Sequence, residues 1–145
     1  MIQFSKKLFY AVEAVLYIAY NAASDPMSSK EIANKQGMPP RYLEQMMQKL
    51  VRAGVLRGVR GPRGGYLLAR EKRRITLADI CKALGDEEAI PSSTPLGNQV
   101  VVPLIRKFQA SLAQNLHETT IAELYEQATE RHIRKSAGER SDFTI

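Results

Sequence analysis

Forty-three residues, Ser28 to Arg70, are punctuated so closely that they leave the chain little choice of fold: "SSKEIANKQGMPPRYLEQMMQKLVRAGVLRGVRGPRGGYLLAR". Ser28 stands as a helix N-cap, with Glu31 three residues on in the capping-box position. About two turns fit before Gly37, which supplies a sharp turn. Pro40 suits the first position of the next helix, and Gly54 its left-handed stop. Leu43, Met46, Met47, Leu50 and Val51 form an apolar stripe at helical spacing, while Arg41, Tyr42, Gln45, Gln48, Lys49 and Arg52 take the other face. A short helix, a glycine turn and a longer helix with a polar-basic outer face make a helix-turn-helix pattern.

"GVLRGV" and "GYLLAR" then read as two short strands around the tip "RGPRG". A hairpin in that place is a wing. Its glycines permit positive φ at the tip and keep side chains from holding the backbone off a ligand. Other uses of such a stretch fit less well. A phosphate-binding P-loop needs Lys-Ser/Thr and a helix after its glycines, and here a strand follows. RGG segments that bind RNA are repeats in disordered chain, whereas this is one copy between apolar strands. A plain connecting hairpin is the remaining alternative.

Charge follows the same segment. Residues 28–75 hold twelve Lys/Arg and three Asp/Glu, net +9, whereas the rest of the 145 residues is net −3. A basic block in a mildly acidic chain suits a polyanion, although a merely solvated basic face would look the same by charge alone.

Flanking elements complete a mainly α chain. Ser5 caps a first helix with Leu8, Phe9, Val12, Val15, Leu16 and Ala19 turned inward, and Phe4 with Phe9 stands at hydrophobic-staple spacing. Its run "KKLFYAVEAVLYIAYNAAS" loosely imitates a secretory signal. Glu13 and three tyrosines interrupt it, and it is too short to span a bilayer, so the expectation is a buried helix in a cytoplasmic protein that contacts no membrane. Thr76 caps "LADICKALG" with Asp79 closing the box. Residues 86–102 read as a loop, and Pro103 as the first turn of a long helix. That helix places Leu104, Phe108, Leu112 and Leu116 four apart, with Ile105 alongside. Such a stripe is either core or the seam with a second copy. "TIAELYEQA" forms a final helix against the base of the domain, and 131–145 a polar tail. The domain reading is therefore 1–85 winged helix-turn-helix, 86–102 loop, 103–130 dimerisation helix plus final helix, and 131–145 tail.

One cysteine, Cys81, excludes an internal disulfide framework and a multi-cysteine metal site. His117 and His132 have no cysteine near them in sequence. No Ser-His-Asp arrangement and no Gly-rich loop opening a helix is present, so the expectation is a binding protein and not an enzyme, with no cofactor and no metal.

The stretch "EIANKQGMPPRYLEQMMQKLVRAGVLRGVRGPRGGYLLAR" followed by "ITLADICKAL" strongly resembles the Rrf-two family of bacterial winged-helix regulators. Relatives include the iron–sulfur cluster regulator, the nitrite-stress repressor and the repressor of cysteine metabolism. The resemblance runs from Phe4 to Leu84 and resumes weakly from Pro103 to Ala128. It implies a homodimer on a palindromic operator, two recognition helices lying about 34 Å apart. It also implies base reading by Tyr42, Glu44 and Gln45, with Arg60 of the wing in the minor groove. Pro39 and Arg41 stand where well-studied members have serines, and Arg41 can read guanine where serine cannot. Cluster-binding members hold their iron–sulfur cluster with three cysteines in the loop that here spans Asp86 to Val102 and contains none. A lone-cysteine cluster with His and Glu ligands is also disfavoured, because the first helix offers only Glu13 and no histidine.

The expectation is thus a dimeric, sequence-specific transcriptional regulator of repressor type, reading double-stranded DNA with helix 40–53 and wing 59–66. The expected DNA-facing set is Ser28, Arg41, Tyr42, Glu44, Gln45, Lys49, Arg60, Arg63, Gly64 and Gly65, and the expected dimer contact is Leu104, Ile105, Phe108, Leu112 and Leu116. Cys81 is read first as a small buried apolar residue and second as a redox thiol. The signal is a small molecule, a partner protein or cysteine oxidation. The alternative function is a winged-helix module that binds protein and no longer reads DNA.

Overall fold

The computed structural model describes residues 4–21, 25–85 and 91–133. Its elements run α1 (Lys6–Asn21), α2 (Ser29–Gln36), α3 (Pro40–Arg52), β1 (Leu56–Val59), β2 (Gly65–Leu68), α4 (Leu77–Leu84), α5 (Val102–Glu118) and α6 (Ile121–Glu130). The fold is mainly helical with one small hairpin, as the sequence implies. Leu56 pairs with Leu68 and Val59 with Gly65 in an antiparallel register. Met27, just before α2, adds a third short rung. Its N–H donates to Tyr66 O at 3.1 Å, and the Tyr66 N–H returns to Met27 O at 2.9 Å.

One core joins the helices. Val15 and Ile18 of α1, Ile32 of α2, Leu43, Met47 and Leu50 of α3, Leu56 of β1 and Ile80 of α4 are fully enclosed, together with Val55, Ile75 and Ile121. Burying each such side chain contributes about 1.5–3 kcal/mol, so α3 is fixed firmly by its apolar face while its other face stays in solvent. Local signals set the ends. The Leu8 N–H donates to Ser5 Oγ at 3.2 Å, and the Glu31 N–H to Ser28 Oγ at 3.2 Å. At Thr76 the capping box is closed in both directions, Asp79 N–H to Thr76 Oγ1 at 3.1 Å and Thr76 N–H to Asp79 Oδ2 at 2.9 Å. A bridge between Thr76 and Thr120 sets α6 against the base of the domain: the Leu77 N–H donates to Thr119 O and the Ile121 N–H to Ile75 O, each at 2.9 Å.

Three sequence expectations need correction. The segment 86–102 is not a loop to its end, because residues 95–101 are already helical. Thr94 caps this turn, its Oγ1 accepting the Gly97 N–H at 3.1 Å, and Pro95 follows as the first helical residue. Pro103 therefore sits inside a helix and not at its start. It has no N–H to offer Gln99, and its ring crowds the preceding turn. Gly97–Val101 widens into a π turn at that point, with the Val102 N–H reaching Gly97 O.

Phe4 and Phe9 do not close a staple: they are 59% and 60% exposed, and Phe9 packs edge-on to Tyr10. Cys81 is exposed and not buried. The buried face of α4 is Ile80 and Leu84, four apart, and Cys81 stands about 100° round the helix from Ile80. Of the tail, residues 134–145 lie outside the described residues.

Candidate nucleic-acid interface

Burial of Leu43, Met46, Met47 and Leu50 leaves Arg41, Tyr42, Glu44, Gln45, Gln48 and Arg52 exposed together on the outer face of α3. Lys49 is half-buried at the edge of that face, its Nζ donating to Leu84 O at 3.5 Å. Ser28 is committed to capping α2 and lies beside the Met27 rung. No side chain of Pro39 caps α3, so the backbone N–H groups of its first turn remain available at the end carrying Arg41 and Tyr42.

At the wing tip, Arg60 and Arg63 are both exposed. Gly61 has φ +113°, a conformation that side-chain-bearing residues rarely adopt. The other two glycines have a different reason. A Cβ on Gly64 would collide with Val59 O, and one on Gly65 would lie 2.5 Å from both C and O of Met27. Their lack of a side chain serves close approach of backbone within the wing, which the sequence reading had not distinguished from approach to a ligand.

The wing is braced at its base by Arg70. Its Nε donates to Gly54 O at 3.2 Å, its Nη1 to Arg74 O at 3.1 Å, and its Nη2 lies 3.6 Å from Asp79 Oδ2. Tyr66 links wing and recognition helix electrically: burial first, and the Glu44 carboxylate second, push its hydroxyl above the ordinary phenol value.

On α5, Leu104, Ile105, Phe108 and Leu112 are exposed and Leu116 half-buried. The exposed row starts earlier than the sequence reading placed it, at Leu96, Val100 and Val101. Thr94–Pro95 was the overlooked signal, a cap followed by proline at the first helical position. Cys81 and His117, distant in sequence, line one cavity of about 490 Å³ between α1, α4 and α5, with Leu8, Lys82 and Leu116. His132 is exposed in the turn after α6. Among the described residues, no three His, Cys, Asp or Glu side chains gather to hold a metal ion, and no helix is long and apolar enough to cross a membrane.

An exposed polar-basic face on the second helix of a helix-turn-helix, beside a braced hairpin tipped with arginines, defines a winged helix-turn-helix DNA-binding protein. The chain belongs to the Rrf2 family, whose model, described as "Iron-dependent Transcriptional regulator", matches residues 4–127. It is a DNA-binding transcriptional regulator of that family. A Synechocystis chain described as an HTH-type transcriptional regulator is 33% identical over 146 residues, covering 96% of this chain and 97% of the other. The HTH-type transcriptional regulator IscR of Cronobacter sakazakii is 38% identical over 77 residues, covering 53% and 48%. Among solved structures, T. potens IscR superposes with a TM-score of 0.75 at 32% identity, covering 93% of this chain and 94% of that one. The oxidized form of Staphylococcus aureus CymR gives 0.70 at 30% identity, covering 86% and 97%.

Proposed function

We propose that the protein is a homodimeric repressor of a palindromic operator, working without a three-cysteine iron–sulfur cluster. Helix 40–53 reads bases with Arg41, Tyr42, Glu44 and Gln45. The wing lays Arg60 in the minor groove, and Ser28, Lys49, Arg63 and the backbone at Gly64 and Gly65 meet phosphates. The exposed cations Arg41, Arg60 and Arg63, with Lys49 at the edge of the face, favour DNA over a protein partner here. The observation that carries the dimer is the apolar row from Leu96 to Leu112. Only Val102 of α5 is buried, while Phe108 is 59% and Leu104 49% exposed. A contiguous exposed row of that size is covered most directly by the same row of a second copy, with Leu104, Ile105, Phe108, Leu112 and Leu116 in the contact. The two-fold axis then sets the recognition helices about 34 Å apart, in successive major grooves.

An iron–sulfur cluster, of the kind the resemblance to cluster-binding members raises, does not fit the donors here. The chain has one cysteine, it lies on α4, and the described residues gather no metal-ligand set around it. The signal is a small molecule, a partner protein or oxidation of Cys81. The exposed Cys81, which lines one cavity with His117, favours the last, and a solved structure of the CymR relative is of its oxidized form.

Sedimentation of the purified protein tests the dimer, with Phe108→Asp as the perturbation. The wild type is expected to sediment as a dimer that shifts a palindromic fragment. The variant is expected to be monomeric and to bind whole and half sites with equal, weak affinity. A wild-type monomer overturns the proposal. Protein purified without oxygen is expected to be colourless, and a brown preparation ends the cluster-free reading.

A further inference from the structure

Two clefts run along one flank of α3 and bring further cations, Lys7, Arg52 and Lys82, beside the expected DNA-facing residues Tyr42, Gln45 and Lys49. The larger, about 650 Å³, is walled by Lys49 and Arg52 of α3, Arg70, and Asp79 and Lys82 of α4. The smaller, about 110 Å³, lies between α1 and α3 and is lined by Lys7, Tyr42, Gln45 and Lys49. Lys49 belongs to both, so the two form one continuous margin from the Tyr42 end of α3 to its last turn. That margin is about 15 Å long at 1.5 Å per residue.

Its charge is one-sided. Among the described residues lining the clefts, Asp79 is the one carboxylate, and it is held by Arg70 and by the Thr76 N–H. Arg52 and Lys82 are exposed. Tyr42 and Gln45 face both this margin and the outer face of α3, so the margin begins where the bases are read. The larger cleft is open to solvent, which suits a polymer backbone better than an enclosed small anion.

From this juxtaposition we infer that Lys7, Arg52 and Lys82 join Lys49 in a phosphate-binding rim that grips the DNA backbone beside the recognition helix. The inference rests on the DNA-reading role of α3 and extends it to α1 and α4. Lys7 and Lys82 both fall outside the basic block 28–75 in sequence, and only the fold brings them to the margin of α3. Rim contacts carry no base information; they set register and add counterion release.

The test measures affinity from low to moderate salt for Lys7→Gln, Lys82→Gln and the double variant, on an operator fragment and on a scrambled fragment of equal length. Each lysine removed is expected to reduce the salt slope by about 0.9 and to weaken both fragments by the same factor. Matching thermal unfolding of all variants confirms that the fold is intact. An unchanged slope in the double variant, or a loss confined to the operator fragment, overturns the rim. If the wild type itself binds neither fragment, the DNA-reading role of α3 falls first and the rim with it.

Discussion

Replacing Gly65 by alanine puts the construction of the wing to a quantitative test. Gly65 opens β2 opposite Val59, and its neighbour Tyr66 exchanges hydrogen bonds of 3.1 and 2.9 Å with Met27. A Cβ at position 65 would lie 2.5 Å from C and O of Met27 and 2.8 Å from Ser28 N. All three are backbone atoms, so no rotamer change relieves the overlap. If the Met27 rung separates, two hydrogen bonds are lost, each worth about 0.5–1.5 kcal/mol net. If it holds, the strain of overpacking costs about 1–3 kcal/mol. The expected loss is about 1–3 kcal/mol by either route. Gly58 on β1 is the internal control: it faces Tyr66 across the ladder, a Cβ there meets nothing within 4 Å, and its φ is not positive. Gly58→Ala is expected to be neutral or to stabilise by up to about 1 kcal/mol, since glycine inside a strand is itself unfavourable. Urea unfolding of wild type and both variants at one fixed protein concentration gives the comparison, provided the m-values agree. Equal stability losses in the two variants, or a Gly65→Ala loss under about 0.5 kcal/mol, would refute the reasoning.

Other outcomes follow from the same geometry. Arg60→Ala is expected to cost about 1–3 kcal/mol of operator affinity and to relax preference at the contacted position; footprints on the native promoter indistinguishable from wild type would remove the wing from recognition. Tyr66 is held in its neutral form because burial and Glu44 raise its pKa above 10.0. Stability from that source is complete below about pH 10 and is lost as pH climbs through the raised folded value. Tyr66→Phe is therefore expected to flatten the alkaline fall in stability, and a fall as steep as that of wild type tells against the coupling.

Much of the reading head was legible because its signals are local. Gly37, Pro40 and Gly54 mark turn, start and stop within a few residues of where they act, and the stripe from Leu43 to Leu50 sets which face is left for Arg41, Tyr42 and Gln45. The start of the long helix was equally local in Thr94–Pro95. It was masked by the surrounding Pro, Ser and Gly, which suggested a loop, and by Pro103, which suggested a beginning. The early α1 pattern misled in another way: spacing set Phe4 and Phe9 to meet, yet the core lies on the side of Ala11, Val15 and Ile18, and both rings stay in solvent.

What the sequence alone determined is the order and type of the helices and the hairpin from Ser28 to Leu84, though not the short 3-10 turn Lys72–Arg74, because capping, φ preference and hydrophobic period act over a turn or two of chain. Only the tertiary structure decided which side of α4 is covered, and so that Cys81 is exposed and shares a cavity with His117. It also decided that Gly64 and Gly65 answer to neighbouring backbone, and that Lys7 and Lys82 come to stand on either side of Lys49. Each of these depends on how closely segments far apart in the chain approach one another. That separation is set by the packing of the whole core and is written in no single stretch of residues.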